Sequence, residues 1–221
     1  MGLVLQEREG QEMRRVLSVT VTVGVVTCLM AGPAAASAPV HHHSASAAIE
    51  AFWQSKVGLP QGRFKLITWS VGVFPSTRGT FSFVFKEVAK CRMASGHRRC
   101  RLVSVSEGVR RSLTAGQFSF DRRHLESAHL DATYKLRTFL PGGKKGRTFT
   151  AAVVASWTGV GKLSHERETS TFHSGCLQFH TTFKGRHRSA TATGSISGKP
   201  LGTAKQASLS AGTSLTIEHR C

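Results

Sequence analysis

Residues 127–136 read SAHLDATYKL. Ala128, Leu130, Ala132, Tyr134 and Leu136 share one parity, and His129, Asp131, Thr133 and Lys135 share the other. That period of two belongs to a strand with one buried face. The pattern spreads in both directions from this stretch. Downstream, past the PGGKKG turn at 141–146, Phe149, Ala151, Val153, Ala155 and Trp157 repeat it. Leu177, Phe179, Thr181 and Phe183 follow, then Ala190, Ala192, Gly194 and Ile196, with Leu215 and Ile217 in a closing strand. Upstream, Ile67, Trp69, Val71 and Val73 form one buried face, and Phe81, Phe83 and Phe85, alternating with Ser82 and Val84, form another. The run LVSVS at 102–106 returns from a charged tip at 92–99. Nine or ten strands with spaced turn signals and little helical periodicity predict an all-β fold, an antiparallel sandwich or barrel.

The N-terminal end has a different character. Residues 13–38, MRRVLSVTVTVGVVTCLMAGPAAASA, place two arginines before an apolar run of about fifteen residues and close on small residues, the layout of a secretory signal peptide. The run is short for a membrane span, which needs about 20 residues. Cleavage is expected after Ala36 or Ala38, with no stable membrane span remaining, and the polar stretch before Met13 suggests that Met13 is the true start. The domain reading is a signal peptide over 1–38, a flexible leader over 39–62 with a short helix through 47–56, and one β-rich domain over 63–221. Export predicts a secreted or cell-wall-associated protein.

Cys91, Cys100, Cys176 and Cys221 follow the signal, an even number suited to two disulfides in an oxidising compartment. Three pairings are open. Cys91–Cys100 with Cys176–Cys221 is preferred, because the first pair would close a short loop between strand-like runs. None of the four cysteines lies within four residues of another, so zinc-type spacing is absent.

The chain carries a formal charge of +18, and since 1–38 holds three basic and three acidic residues, 27 basic against 9 acidic residues remain beyond it. Such a balance favours anionic partners, nucleic acid or phosphate-rich or sulfated polymers of the cell envelope. The cations cluster: Arg92, Arg98, Arg99 and Arg101 with His97; Arg110, Arg111, Arg122 and Arg123; Lys144, Lys145 and Arg147; Lys184, Arg186 and Arg188 with His187. Most of these groups read as turns. Because hairpin turns gather at the ends of a sandwich, several could join in one patch, and arginine forks suit phosphate and sulfate oxygens. Sequence-specific nucleic-acid readout is not expected, because no recognition helix or stacking platform can be placed.

A competing reading is a small secreted enzyme using His165, Glu166 and Glu168 with His173 and His180, groups capable of acid–base chemistry. No GxSxG or HExxH motif accompanies them, and His165-Glu166 reads as a turn tip between Trp157 and Phe172. No cofactor signature occurs. His41, His42 and His43 form the densest set of metal-ligand side chains; after cleavage at Ala38, His41 could complete an amino-terminal copper or nickel chelate. The plainer reading of this trio is a solvated leader, and a structural protein without a ligand is the third class.

The succession SAHLDATYKL (127–136), VVASWTGVGKLSHERE (153–168) and HSGCLQFHTTFKGRHRSATATGSISG (173–198) resembles a group of exported actinobacterial β-rich proteins that share SWTGxG, a Gly-Cys turn and R-x-A-x-A-x-G. Ser174 stands where that pattern carries proline. The resemblance implies export and an all-β fold, and it brings no activity.

Overall fold

The computed structural model describes residues 39–94 and 96–220. The signal peptide expected over 1–38, and Cys221, lie outside them. Ten antiparallel strands make up the structure: β1 (Val40–Gly58), β2 (Arg63–Ser76), β3 (Gly79–Ala94), β4 (His97–Arg110), β5 (Phe118–Phe120), β6 (Ser127–Phe139), β7 (Lys145–Ser174), β8 (Leu177–Ile196), β9 (Lys199–Thr203) and β10 (Gln206–Arg220). Hydrogen-bonded neighbours run β10-β1-β2-β3-β4-β6-β7-β8, and β10 pairs with β8 as well, so eight strands close into a barrel. β5 pairs with β6, and β9 with β8.

An eight-stranded barrel is just wide enough to be filled by its own side chains. Here Trp53, Trp157, Tyr134, Ile49, Leu130, Leu136 and Leu209 fill the interior, interleaved with Ala47, Ala51, Ala128, Ala132, Ala151, Ala155, Ala192 and Ala211. Large and small residues must alternate because the facing walls share one narrow lumen. The buried polar groups find partners. Trp157 Nε1 donates to the Glu50 carbonyl at 2.9 Å, Trp53 Nε1 to the Gly202 carbonyl at 3.1 Å, and the Tyr134 hydroxyl to Ser82 Oγ at 2.9 Å. With the apolar parity inside and His129, Asp131 and Lys135 outside, the barrel has the opposite polarity to a membrane barrel, whose outer face is an apolar band.

Two sequence expectations change. Residues 40–58 are strand β1, paired to β10 and β2, in place of a leader and short helix. Ile49, Ala51 and Trp53 alternate at strand period and supply one wall of the core. Phe81, Phe83 and Phe85 face outward, while Ser82 and Val84 point into the barrel, both fully buried. The core already holds three tryptophans, Trp53, Trp69 and Trp157, and Tyr134. The phenylalanines instead pack on the outer surface, Phe83 against Phe74 at 5.6 Å and Phe85 at 5.2 Å.

One mouth of the barrel is plugged by the loop between β5 and β6. Asp121 builds it: Oδ1 accepts the N–H groups of Arg123 and His124, Oδ2 that of Glu126, and its carbonyl that of Leu125. The turn so formed holds Leu125 at φ 54° and drives its side chain into the lumen, where it is fully buried. Gly159 on β7 permits the approach, since a Cβ there would lie 2.2 Å from the Leu125 carbonyl oxygen.

Candidate functional site

At the other mouth, β2, β3 and β4 run on past the barrel, and β1 accompanies β2 as far as the Gly58–Phe64 pair. Register sets Arg63 beside Arg92 and Arg92 beside Arg99; two residues along each strand, Lys65 lies beside Lys90 and Lys90 beside Arg101. These two rows share a face, because positions two apart on a strand point the same way. The result is a ladder of six cations, spaced about 4.8 Å across strands and about 7 Å along them. The carboxylates of these three strands fall on the opposite face. Glu87 is out of phase with Val84, Lys90 and Arg92 on β3, and Glu107 pairs with outward Phe85. A bulge on β4 opposite Val88 and Ala89 shifts the alternation, so that Arg99 and Arg101 share the face of Lys90 and Arg92.

Like charges directly opposite one another destabilise a sheet. The row between the two cationic ones resists this: Cys91 and Cys100 are cross-strand partners joined by a disulfide with Cα atoms 4.1 Å apart, and Phe64 pairs with buried Cys91 from β2. On that reverse face Lys56 Nζ sits 4.3 Å over the Phe64 ring. Cys91–Cys100 is the expected bond; Cys176 is disulfide-bonded too, while the pairing expected with Cys221 falls outside the described residues.

Arg92, Arg99 and Arg101 are thus brought together, and Arg63, Lys65 and Lys90 join them. The sequence does not mark these three as a cluster, because they are interleaved with Phe64 and Cys91 on separate strands and only register stacks them. Arg98 lies on the reverse face beside a depression of about 840 Å³ that Phe64, Leu66 and Met93 line. Lys144, Lys145 and Arg147 mark the β6–β7 turn at the same end of the barrel. Nearby, Lys86 points inward from β3 with Nζ 5.1 Å over Trp69 and 6.0 Å over Phe149. Burial holds its pKa below the ordinary lysine value, with Arg147 and Lys199 adding like-charge repulsion.

Lys184, Arg186 and Arg188 do not belong to this group. Expected in a turn, they stand mid-strand in β8 at the opposite end, because β7 and β8 stay paired from Ser164–His187 out to Ser174–Leu177. Arg186 and Arg188 serve the plug loop. Arg186 Nη1 donates to the Arg123 carbonyl, Arg186 Nη2 to that of Arg122, and Arg188 Nη1 to that of His124. The acid–base set does not gather either. His165, Glu166 and His173 lie along the single strand β7, not at a turn; Glu166 faces away from the other two, and His165 and His173 are about 27 Å apart along an extended chain. The pleat of β1 likewise splits the histidine trio. His42 meets Glu218 at 3.3 Å on the outer face, while His41 and His43 point inward, and the backbone of 40–43 is committed to the ladder with β10.

The class of molecule so defined is a plugged, side-chain-filled, eight-stranded antiparallel barrel bearing a disulfide-stapled cationic extension. No protein-family model, curated protein or solved structure matches the chain.

Proposed function

We propose that this is an exported, non-enzymatic protein that binds an anionic polymer of the cell envelope or its surroundings along the β2–β3–β4 ladder. The observation that carries the reading is the stacking of two cationic rows three strands deep with every carboxylate of those strands on the other face. A protein gains no stability from such an arrangement, and a polymer with evenly repeated phosphate or sulfate groups neutralises it. Four of the six cations are arginines, whose forked donors hold oxyanions bidentately. A flat, exposed ladder suits a chain with regular charge better than it suits a small molecule, which needs a concave site. The signal-like segment 13–38 and the net charge of +18 agree with a role outside the cell among acidic polymers.

The test is titration of a single-stranded oligonucleotide and of a sulfated glycan against the protein and its Arg92→Ser/Arg99→Ser/Arg101→Ser variant. A control variant, Lys135→Ser/Arg137→Ser, alters the outer face of β6. The ladder variant should lose roughly tenfold or more in affinity at about 0.1 M salt while the control keeps its affinity. Equal losses in both variants would contradict the assignment.

A further inference from the structure

A second concentration of unpaired positive charge lies at the opposite end, on the inner face of the sheet formed where β7, β8, β10 and β1 continue beyond the plug loop. Register places Arg167 beside Lys184, Lys184 beside Thr213, and Thr213 beside Ala45. The next row outward is Thr169, Thr182, Leu215 and His43. All of these except Thr169, together with Thr77 from the β2–β3 turn, whose N–H is tied to the Ala45 carbonyl at 3.1 Å, line an open concavity of about 440 Å³. Arg167 and Lys184 are cross-strand partners of like charge, and neither is in an ion pair among the described residues. An adjoining concavity of about 350 Å³ shares Arg167, Lys184 and Thr213 and adds Arg122 and Arg186, with Glu166 as its one carboxylate.

The chemistry here differs from that of the ladder. Two cations and three threonines, with Leu215 and Ala45, line a hollow within the size range of small-molecule sites. The cations suit one compact oxyanion; the hydroxyls, which both donate and accept, suit the alcohol groups of an attached polyol. Arg122 and Arg186 are anchored to backbone carbonyls, so the back wall is rigid: Arg122 holds the carbonyls of Ser46 and Gly212, and Arg186 those of Arg122 and Arg123. We infer that this hollow is a binding site for a sugar phosphate or sugar sulfate, its ester oxyanion between Arg167 and Lys184 and its hydroxyls on Thr77, Thr182 and Thr213. The site stands independently of the ladder, and its occupant could be a free monosaccharide ester or the end of an anionic glycan, since both present the same group.

Calorimetric titration with glucose 6-phosphate, glucose 6-sulfate, inorganic phosphate and glucose tests it, using the full protein and an Arg167→Ser/Lys184→Ser variant. The two esters should bind saturably with one site per chain and more tightly than inorganic phosphate, and the variant should lose at least tenfold in affinity. A Thr182→Val/Thr213→Val variant should lose the advantage of the esters over inorganic phosphate and keep binding to phosphate itself. The Arg92→Ser/Arg99→Ser/Arg101→Ser variant should bind the esters normally, so failure of one site is separable from failure of the other. Absence of saturable ester binding, or ester binding that survives Arg167→Ser/Lys184→Ser in a protein of unchanged circular dichroism, would overturn the proposal.

Discussion

Arg186 Nη1 lies within 2.6 Å of the Arg123 carbonyl oxygen, tying a mid-strand cation of β8 to the loop that inserts Leu125 into the barrel. An arginine that composition marks as an anion ligand is here a structural tether. The same loop also receives Arg188 at the His124 carbonyl, so the plug is fixed from the wall as well as from within by Asp121.

Leu125 should therefore matter to stability. Its side chain is fully buried at the mouth of the lumen. Leu125→Ala should cost about 2–5 kcal/mol, from lost burial and the cavity left behind. Urea denaturation followed by tryptophan fluorescence measures the cost.

Asp121 makes the plug sensitive to acid. The backbone N–H of His124, with those of Glu126 and Arg123, holds its carboxyl below the usual aspartate value against a smaller opposing effect of burial. A depressed folded-state pKa gives stability that is present above the unfolded value, about 3.9, and lost as pH falls through the folded one. The protection factors of the Arg123, His124 and Glu126 amides, taken against the intrinsic exchange rate at each pH, should be high at pH 5 and fall as the carboxyl is protonated, ahead of those of the core strands. In Asp121→Ala these amides should be unprotected at both pH values.

Tyr134 acts at the alkaline end. Burial pushes its pKa up, and the Ser82 hydrogen bond and the Arg110 charge oppose the shift only in part. A raised folded-state pKa means that stability is full below the unfolded value, about 10, and falls as pH rises through the folded one. At pH 8, Tyr134→Phe should be the less stable protein by about 1–3 kcal/mol, because the buried Ser82 hydroxyl loses its partner. By pH 11 that deficit should shrink, as read from urea midpoints of the two proteins.

The ladder predicts a trade between stability and binding. Arg92→Ser/Arg99→Ser removes cross-strand repulsion beside the disulfide and should raise thermal stability slightly, by about 0.2–1 kcal/mol, while weakening polyanion binding. Calorimetric melts with and without a sulfated glycan measure both.

Much of the fold is written locally. The alternation of Ala128 to Leu136 and of Ala151 to Trp157 marks buried faces because each strand meets the lumen on one parity only. The phenylalanines of β3 mislead, since their alternation is equally regular and hydrophobicity alone cannot say which face closes on the core. The makeup of the whole core decides that, and it depends on Trp53, Trp69, Trp157 and Tyr134 from four other strands. β1 was hidden because the polar run 41–44 precedes its apolar half, and only pairing with β10 makes it a strand. For the candidate site, the cluster around Cys91 and Cys100 was legible as sequence, but the ladder is a property of register. Arg63 and Arg99 are 36 residues apart and meet only through Arg92.

The central claim is that phosphate or sulfate neutralisation by the ladder drives association. The direct measurement is the slope of log affinity against log salt for a single-stranded oligonucleotide, in the protein and in Arg92→Ser/Arg99→Ser. The account predicts a steep negative slope that becomes shallower by about 1.4 when two contacts are lost, at roughly 0.7 per contact. The same slope in both proteins, or no binding at low salt, would contradict it.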